Sequence, residues 1–558
     1  MSSILFIILI LGGTALLSWP LGRAMNWAMS SPETEVGFRY GIESIFRRIG
    51  GEAIAREQNW KQYSLSLLIF NAAMFVVVFA ILVFQPWLPL NSDGKGAIEP
   101  SLIYNTVASF TSNTNLQHYS GEVTLGYFAQ LFGLMWLQFV SAATGIAALA
   151  ALARGLAGKA GLGNSYSDLM RATFLILLPL AIVVATILVL GGVAMTLGGS
   201  AAATTLEGAA QTIARGPVAA FVTIKQLGTN GGGFFGPNST HPFENATFFT
   251  NIVECVSIIL IPMASVWMFG RITRRLRHAA VIFAVMGAML VIKVGLANYF
   301  ESAPTAAFAG LPVESSPNLE GKELRFGTPA GPTWGVLTTS TSNGSVDAMH
   351  DSLNPLTGLL PMIGMWFNVT YGGVGVGLIN MFLYIIVGVF ISGMMVGRTP
   401  EYLGRRVETR EMKLALLAIL VHPLFILGGT AWFAATSWGA STVANPGFHG
   451  FSEILYEFSS AAANNGSGFE GLGDNTVPWN IATGTVMLLA RYIPIILPLA
   501  IAGSLAAKKP APETAGTLRT DTPLFGFVIL GSVVLVGALL FLPVAVLGPI
   551  AEHLVSAG

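Results

Sequence analysis

Ten stretches of about 20 or more mostly apolar residues are spread along the 558-residue chain, and each is long enough to cross a lipid bilayer as a helix. Charged residues make up only 10% of the chain, against roughly 25% in soluble domains. The chain lacks the polar surface of a soluble protein, so we predict an all-α polytopic membrane protein. The predicted spans lie near residues 3–21, 62–84, 123–151, 172–197, 246–270, 279–298, 356–395, 414–436, 477–505 and 523–548.

The loops between these stretches divide the Lys and Arg residues unequally. One alternate set, which begins with residues 22–61, holds 21 of the 28 basic residues, the opposite set holds 5, and two lie within spans. Because basic loops remain in the cytoplasm, we expect these loops inside and both termini outside. We expect the first stretch to be an anchor and not a signal peptide, since no basic residue precedes it and no A-x-A site follows it.

Four outward loops share one pattern, in which a moderately apolar segment leads to a polar run and then back to the membrane. The runs are SFTSNTNLQ (109–117), QLGTNGGGF (226–234), TTSTSNGSVDA (338–348) and AAANNGSGF (461–469). Aligned on Asn113, Asn230, Asn343 and Asn465, they lie 117, 113 and 122 residues apart. Near-constant spacing with the same order of elements indicates an internal repeat of span, re-entrant hairpin and span.

Four such repeats account for eight of the ten spans and are expected to surround one axis with fourfold pseudosymmetry. The predicted segments are an N-terminal transmembrane helix and cytoplasmic loop (1–61), repeat 1 (62–155), repeat 2 (171–272), repeat 3 with a broken last helix (279–398), repeat 4 (413–505) and a C-terminal transmembrane helix (523–558).

The residue types of the runs suit a cation-selective pore. Non-helical backbone at membrane depth is tolerated where it is buried or lines a water-filled cavity. Glycine permits the unusual backbone angles that aim successive carbonyls at one axis, and rings of carbonyl oxygens replace the hydration shell of a monovalent cation. A single run of this kind is more often a polar turn, but four at one spacing favour a filter.

The expected filter residues follow from the four runs, which contain no Lys or Arg. They are Thr111, Ser112, Asn113, Thr114, Asn115, Gly228, Thr229, Asn230, Gly231, Gly232, Thr341, Ser342, Asn343, Gly344, Ser345, Asn464, Asn465, Gly466, Ser467 and Gly468. Gln117 is the last residue of the first run and follows its expected filter residues. We expect its side chain to support the filter backbone by hydrogen bonding at the outer mouth.

The seventh apolar stretch, 356–395, is 40 residues long. As one helix it would extend about 60 Å, twice the roughly 30 Å hydrocarbon core. Four glycines lie near its middle, so we predict a break there that serves as a gate below the filter. Close helix packing through small residues is the alternative. The proposed gate residues are Gly372, Gly373, Gly375 and Gly377.

Two basic residues lie inside predicted spans. Arg491 is too central to reach the interface easily, so it either repels cations below the filter or pairs internally with Glu453, Glu457 or a carbonyl, and these readings are evenly balanced. Lys293 lies nearer the outer interface, where we expect its side chain to extend to water. His422 has no visible metal partner and is interpreted as structural.

The chain contains neither a G-x-x-x-x-G-K-[ST] phosphate loop nor a D-K-T-G phosphorylation motif. A single cysteine, Cys255, excludes an intramolecular disulfide and a cysteine-rich metal site. On these grounds the chain is not an enzyme by itself. It is a channel, an ion-driven carrier, or the ion-selecting subunit of a pump powered by another chain.

Longer segments of the sequence carry a family resemblance. They are NTVASFTSNTNLQHYSGE (105–122), KQLGTNGGGFFGPNSTHPFEN (225–245), SNGSVDAMHDSLNP (342–355), GGVGVG (372–377), MVGRTPEYLGRR (395–406), AAANNGSGFEGL (461–472) and RYIPIILPLAIAGSL (491–505). Through them the chain resembles the potassium-binding A subunit of the bacterial Kdp potassium-transporting P-type ATPase. That family belongs to a superfamily of potassium transporters that includes the Trk, Ktr and HKT proteins.

The resemblance implies a multi-pass protein of the bacterial cytoplasmic (inner) membrane, with transported potassium ion at the filter residues and no other tightly bound cofactor. It implies a complex with a catalytic P-type ATPase subunit (KdpB), a single-span C subunit (KdpC) and a small F peptide (KdpF), among membrane lipids and without nucleic acid. The chain would then bind external potassium with high affinity in its filter and pass it to the catalytic subunit. The alternative is a stand-alone potassium channel or an ion-coupled transporter of the Trk/Ktr type.

The sequence departs from this family at two positions. Asn343 stands where the family has Cys, and Asn368 stands where many members have an acidic residue. The first change is compatible with a filter if the ligand at that position is the backbone carbonyl. The second removes an expected negative charge at the inner end of the pore.

Overall fold

The computed structural model describes residues 3–30, 37–159, 161–304, 312, 317–510 and 518–557. Parts of the predicted segments 1–61, 279–398 and 523–558 lie outside these ranges. The helices of the first half are α1 (Ser3–Met29), α2 (Phe38–Gly50), α3 (Glu52–Ala55), α4 (Trp60–Val83), α5 (Pro100–Thr111), α6 (Gly121–Thr124), α7 (Trp136–Leu156), α8 (Ser165–Arg171), α9 (Leu178–Leu190), α10 (Val218–Leu227) and α11 (Phe248–Ile272).

The second half of the chain continues this helical architecture. Its helices are α12 (Leu276–Glu301), α13 (Ala330–Ser340), α14 (Pro355–Phe367), α15 (Val376–Met395), α16 (Thr409–Ala434), α17 (Ser437–Ala440), α18 (Phe448–Ala463), α19 (Val477–Ala506), α20 (Pro523–Ala545) and α21 (Ala551–Ala557). Sheet structure in the described ranges is confined to two antiparallel hairpins, β1–β2 (Ala201–Thr204, Ala210–Ile213) and β3–β4 (Glu401–Tyr402, Arg405–Arg406).

Ten helices of the described residues are long and apolar enough to cross a membrane, which confirms the all-α polytopic prediction. In two of them, π-helical turns at 172–177 and 546–550 join consecutive helices and extend the span beyond the predicted limits. The first span also reaches further than predicted, to Met29. The spans are Ser3–Met29, Trp60–Val83, Ala129–Leu156, Ser165–Leu190, Phe248–Ile272, Leu276–Glu301, Val376–Met395, Thr409–Ala434, Val477–Ala506 and Pro523–Ser556.

The third span lies at the centre of the molecule. In its most apolar window 89% of the residues are buried, against 22% in the first, second and tenth spans. The central span is rich in Ala and also contains Gly. Small side chains let helices pack closely in a membrane, where no hydrophobic effect drives them together. The peripheral spans instead expose large aliphatic side chains, as contact with lipid requires.

Some basic residues of the predicted cytoplasmic loops take part in buried ion pairs. Arg154 Nη1 lies 2.6 Å from Asp168 Oδ2, and Arg171 Nε lies 2.9 Å from Glu43 Oε1. These pairs join α7 to α8 and α8 to the amphipathic helix α2. Removing one partner would leave a buried charge uncompensated, so these residues stabilise the fold as well as bias the topology.

Candidate cation-binding site

Four short helices lead directly into the four polar runs. Helices α5, α10, α13 and α18 end at Thr111, Leu227, Ser340 and Ala463. The last carbonyls of a helix have no partner inside it, and they carry the partial negative charge of the helix dipole. Each run therefore begins at the end of a helix that favours a cation.

The four runs adopt the same backbone conformation. One amide N–H of each run donates to the carbonyl five residues earlier: Thr114 to Ser109 (2.9 Å), Asn230 to Lys225 (2.9 Å), Asn343 to Thr338 (2.8 Å) and Asn465 to Ser460 (2.9 Å). The residues on either side of these positions have positive φ: Asn113 and Asn115, Thr229 and Gly231, Ser342 and Gly344, Asn464 and Gly466.

This conformation corrects the alignment of the first run. Asn113 corresponds to Thr229, not to Asn230, so Thr114 is the residue equivalent to Asn230, Asn343 and Asn465. Matching asparagine to asparagine placed the first run one residue out of register. The backbone angles, and not the side chains, are the repeated property.

Side chains of the runs join neighbouring runs in chain order, and the fourth run returns to the first. The joining hydrogen bonds are Asn230 Nδ2 to Asn113 Oδ1 (2.7 Å), Asn343 Nδ2 to the Lys225 carbonyl (3.0 Å), Asn465 Nδ2 to the Thr338 carbonyl (2.9 Å) and Asn464 Nδ2 to Thr114 Oγ1 (2.9 Å). The runs with their helix ends therefore form a closed ring.

The ring leaves no room for side chains where neighbouring runs meet. A Cβ on Gly231 would overlap the carbonyl oxygen of Asn343, and one on Gly344 would overlap that of Asn465. Both glycines also have positive φ, which L side chains seldom adopt. Close backbone approach and handedness together require glycine here.

Asn343 and Asn465 hold the third and fourth runs in the same way. The Oδ1 of each accepts the backbone N–H of the serine two residues later, at 2.9 Å for Ser345 and 3.0 Å for Ser467. Both asparagines are fully buried. These side chains shape the backbone and are inaccessible to glycosylation, although both stand in N-x-S motifs.

Gln117 contacts the second run from the outer side. Its Nε2 donates to the carbonyl of Gly233 at 3.0 Å, and its Oε1 accepts the Gly233 N–H at 2.7 Å. Nε2 also donates to the Tyr119 hydroxyl at 3.2 Å. The side chain therefore holds the residue that directly follows the second run's filter glycines.

The seventh predicted span is interrupted below the ring. Helix α14 ends at Phe367, α15 begins at Val376, and Asn368, Gly372 and Gly375 have positive φ. We call residues 368–375 the inner loop. Gly373 lies within it and Gly377 in the first turn of α15, where it packs against Gly372.

The inner loop is hydrogen-bonded to three of the four pore segments. Gly372 N–H donates to the Ser340 carbonyl (3.1 Å), Val374 N–H to Thr229 Oγ1 (2.9 Å), Ser342 Oγ to Asn368 Oδ1 (2.7 Å) and Asn368 Nδ2 to the Ala463 carbonyl (3.2 Å). A carboxylate at position 368 could not make the last bond, because it has no donor.

Arg491 faces a cavity of about 40 Å³ that Ser342, Asn368 and Asn464 also line. Its Nη2 donates to the Ser141 carbonyl at 3.0 Å, and its Nε has no partner among the described residues. Glu453 accepts backbone N–H groups of residues 444 and 445, and Glu457 contacts His118. Of the internal partners considered from sequence, a carbonyl is therefore present and the two glutamates are engaged elsewhere.

The expectation that Lys293 extends to water is wrong. The residue is only 5% exposed, and its Nζ donates to Ser340 Oγ at 2.6 Å and to Thr370 Oγ1 at 3.2 Å. The ammonium therefore links the end of α13 to the inner loop. The hydroxyls that hold it are distant in sequence, so hydropathy alone gave no signal for them. His422 Nε2 donates to the Met365 carbonyl (3.0 Å), in agreement with a structural role.

A buried polar cluster behind the second run was missed at the level of sequence. Lys225 Nζ pairs with Glu244 and also donates to Asn238 Oδ1 (2.6 Å) and Ser239 Oγ (2.7 Å). Glu244 Oε1 in turn accepts the Phe235 N–H at 2.7 Å. Lys225 is the first residue of KQLGTNGGGFFGPNSTHPFEN, and Glu244 is the next to last. Their presence in one motif was the available signal.

Comparison with known proteins gives a match over almost the whole chain. The family model described as "Potassium-transporting ATPase A subunit" matches residues 7–554. The chain is 46% identical over 555 residues to the "Potassium-transporting ATPase potassium-binding subunit" of Geobacillus kaustophilus, covering 99% of this chain and 98% of that protein. It is 48% identical over 553 residues to the protein of the same name from Bacteroides thetaiotaomicron, covering 97% of each.

Proposed function

Since the chain belongs to the family of the potassium-transporting ATPase A subunit, we propose that it is the potassium-binding, ion-translocating subunit of a high-affinity, ATP-driven potassium uptake pump. The observation that carries this proposal is the closed ring of four runs with one repeated backbone conformation. The relatives' names supply the ion and the link to an ATPase complex.

Potassium binds to backbone carbonyls of the ring. Alternation between positive and negative φ turns successive carbonyls to the same side of a strand, and four such strands offer rings of oxygens to a dehydrated cation. The side chains of Asn343 and Asn465 then serve as scaffolding and not as ligands, since their oxygens accept serine N–H groups. The four helix ends add favourable electrostatic potential for a cation.

The inner loop and Arg491 restrict the path below the ring. The backbone of the inner loop blocks the path, and the positive charge of Arg491 repels the potassium ion. At an effective dielectric constant of about 20, a unit charge 4 Å away costs a potassium ion about 4 kcal/mol. Such a barrier retains the ion at the filter until the partner subunit accepts it, and it limits leak down the vertical path.

The chain does not hydrolyse ATP itself in this proposal. The relatives are named as potassium-binding subunits of an ATPase, which implies other subunits in a complex. By family resemblance these are the P-type catalytic subunit, the single-span C subunit and the small F peptide. We place the complex in the bacterial cytoplasmic membrane, with the ring toward the outside, because the basic loops favour the opposite side.

Potassium-stimulated ATPase activity of the complex, purified under conditions that retain native subunits, tests this function. Micromolar potassium should stimulate hydrolysis, and sodium should not. The matched control is the same preparation with Gly232→Asp in this chain, which should lose stimulation at micromolar potassium. Selective potassium flux through the isolated chain without ATP would instead support a channel or a Trk/Ktr-type transporter.

A further inference from the structure

A histidine and two carboxylates meet on the outer side of the molecule, outside the four runs. His118 lies in the segment after the first run, Glu457 on α18, and Asp474 in the loop after the fourth run. His118 Nε2 lies 3.2 Å from Glu457 Oε1 and 3.8 Å from Asp474 Oδ2. The side chains of His118 and Glu457 are buried, whereas that of Asp474 is 27% exposed. Solvent therefore reaches the group from the Asp474 side.

The hydrogen bonds of Asn480 fix which nitrogen of His118 carries its proton. Asn480 Nδ2 donates to Ser101 Oγ at 3.1 Å and to Asn475 Oδ1 at 3.3 Å, so Asn480 Oδ1 faces His118 Nδ1, 2.7 Å away. A flipped amide would set its oxygen against Asn475 Oδ1. The Ser101 hydroxyl could not relieve this, because it donates to Glu99. Nδ1 is therefore the donor in the neutral ring.

It follows that the lone pair of Nε2 points toward two carboxylate oxygens. Three electron-rich atoms converge without a donor between them, and such an arrangement needs a cation at its centre. A proton on Nε2 can fill this role. A divalent metal ion fills the same position with the charge to match both carboxylates.

We propose that His118 Nε2, Glu457 and Asp474 form an external binding site for one divalent cation of the zinc class. Zinc–ligand bonds of about 2.1 Å in a tetrahedron place ligand atoms about 3.4 Å apart, and the separations of 3.2 and 3.8 Å bracket this value. The exposed side of Asp474 leaves the fourth position to water. Asn480 supplies the outer hydrogen bond that orients a metal-bound histidine.

The second histidine–carboxylate cluster of the described residues provides a built-in contrast. His449 Nδ1 lies 2.8 Å from Glu552 Oε1, and its Nε2 lies 2.9 Å from Asp351 Oδ1. Each nitrogen of this ring therefore has a carboxylate partner of its own, on a different segment, whereas one nitrogen of His118 faces two carboxylates. Glu453 also lies near His449, but its oxygens accept the backbone N–H groups of residues 444 and 445. The His449 ring is a bridge between two segments.

Calorimetric titration of the purified, detergent-solubilised complex with ZnCl₂ tests the site. We expect one zinc ion per chain, with MgCl₂ giving no comparable heat, because hard cations prefer all-oxygen ligands. His118→Gln should weaken zinc binding at least a hundredfold, and Asp474→Asn at least tenfold. Asn480→Ala should weaken it about ten- to a hundredfold through loss of ring orientation.

His449→Gln is the matched control and should leave zinc affinity unchanged. The partly exposed Asp474 permits a test even if the buried histidine cannot be replaced without unfolding. Zinc affinity that is unchanged in Asp474→Asn, lost in His449→Gln, or absent from the wild-type complex would each overturn the proposal. The readout is binding, so it stands apart from failure of the proposed transport function, which the ATPase assay measures.

Discussion

The outer ring and the inner cavity differ in how many hydrogen bonds hold their polar side chains. In the ring, asparagine side chains bond to backbone carbonyls, to another asparagine and to a threonine across all four run boundaries. Thr111 Oγ1, Asn115 Nδ2 and Asn230 Oδ1 have no partner among the described residues. Below it, Arg491 has one bonded nitrogen and one without a described partner, beside about 40 Å³ of empty space. A dense network fixes one geometry, whereas an incompletely paired charge beside a cavity can respond to an arriving ion.

The two buried cations near the inner loop sharpen this difference. Lys293 donates to hydroxyls of Ser340 and Thr370 and thereby belongs to the scaffold of the loop. Arg491 lies against the cavity itself. Burial of a basic residue in a span is therefore insufficient to assign its role. The groups that it contacts show whether it supports the fold or acts on the ion by its charge.

Replacement of a ring glycine should have the largest effect. A Cβ on Gly232 would lie 2.8 Å from the Asn115 Cβ, and overpacking of this kind typically costs about 1–3 kcal/mol. Gly232→Asp, which also adds a charge, should weaken apparent potassium affinity about a hundredfold and reduce discrimination against rubidium and sodium. Concentration-dependent uptake measures this. Gly295→Ala is the control, because a Cβ added at Gly295 would meet no atom within 4 Å. Unchanged potassium affinity in Gly232→Asp would contradict the filter assignment.

Neutralising the cavity charge should affect retention and spare binding. Arg491→Gln removes the repulsion but keeps a donor for the Ser141 carbonyl, so passive potassium leak should rise at least about tenfold. Proteoliposome efflux without ATP measures leak, and equilibrium binding measures the filter. Arg491→Lys keeps the charge and should behave closer to wild type. Wild-type leak and coupling in Arg491→Gln would indicate that Arg491 only pairs internally.

Loss of the lysine bridge should loosen the inner loop. Lys293→Met removes two hydrogen bonds to the hydroxyls of Ser340 and Thr370, each charge-assisted bond contributing about 1.5–3 kcal/mol. We expect a several-fold increase in leak and faster amide hydrogen exchange in residues 368–375. Lys293→Arg, which retains a donor, should restore part of the protection. Wild-type rates of amide hydrogen exchange in Lys293→Met would show that Lys293 does not stabilise the inner loop.

The smallest effect should come from the outer support of the ring. Gln117→Arg loses the acceptor for the Gly233 N–H, a neutral bond contributing about 1 kcal/mol. Uptake should weaken about fivefold at micromolar potassium and stay near wild type at millimolar potassium. Tyr119→Phe removes only the adjacent hydroxyl contact and serves as control. An equal loss of uptake at both potassium concentrations would show that Gln117 does not control affinity.

Periodic apolar stretches and repeated polar runs were sufficient to predict the all-α class and the number of spans, because both signals are local in sequence. The register of the first run was not predictable, since Asn113 and Thr229 share backbone angles and not side chains. The environment of Lys293 was also hidden, because Ser340 and Thr370 approach it only after the inner loop packs against α13. Such contacts depend on tertiary packing, which a single sequence does not display.

The position of a bound ion tests the central claim most directly. Crystals of the complex grown with rubidium in place of potassium should give an anomalous difference peak inside the ring. That peak should be coordinated by backbone carbonyls from all four runs, near residues 111–115, 228–232, 341–345 and 464–468. A strong ordered peak elsewhere, with the ring unoccupied, would contradict the assignment of these runs as the potassium filter.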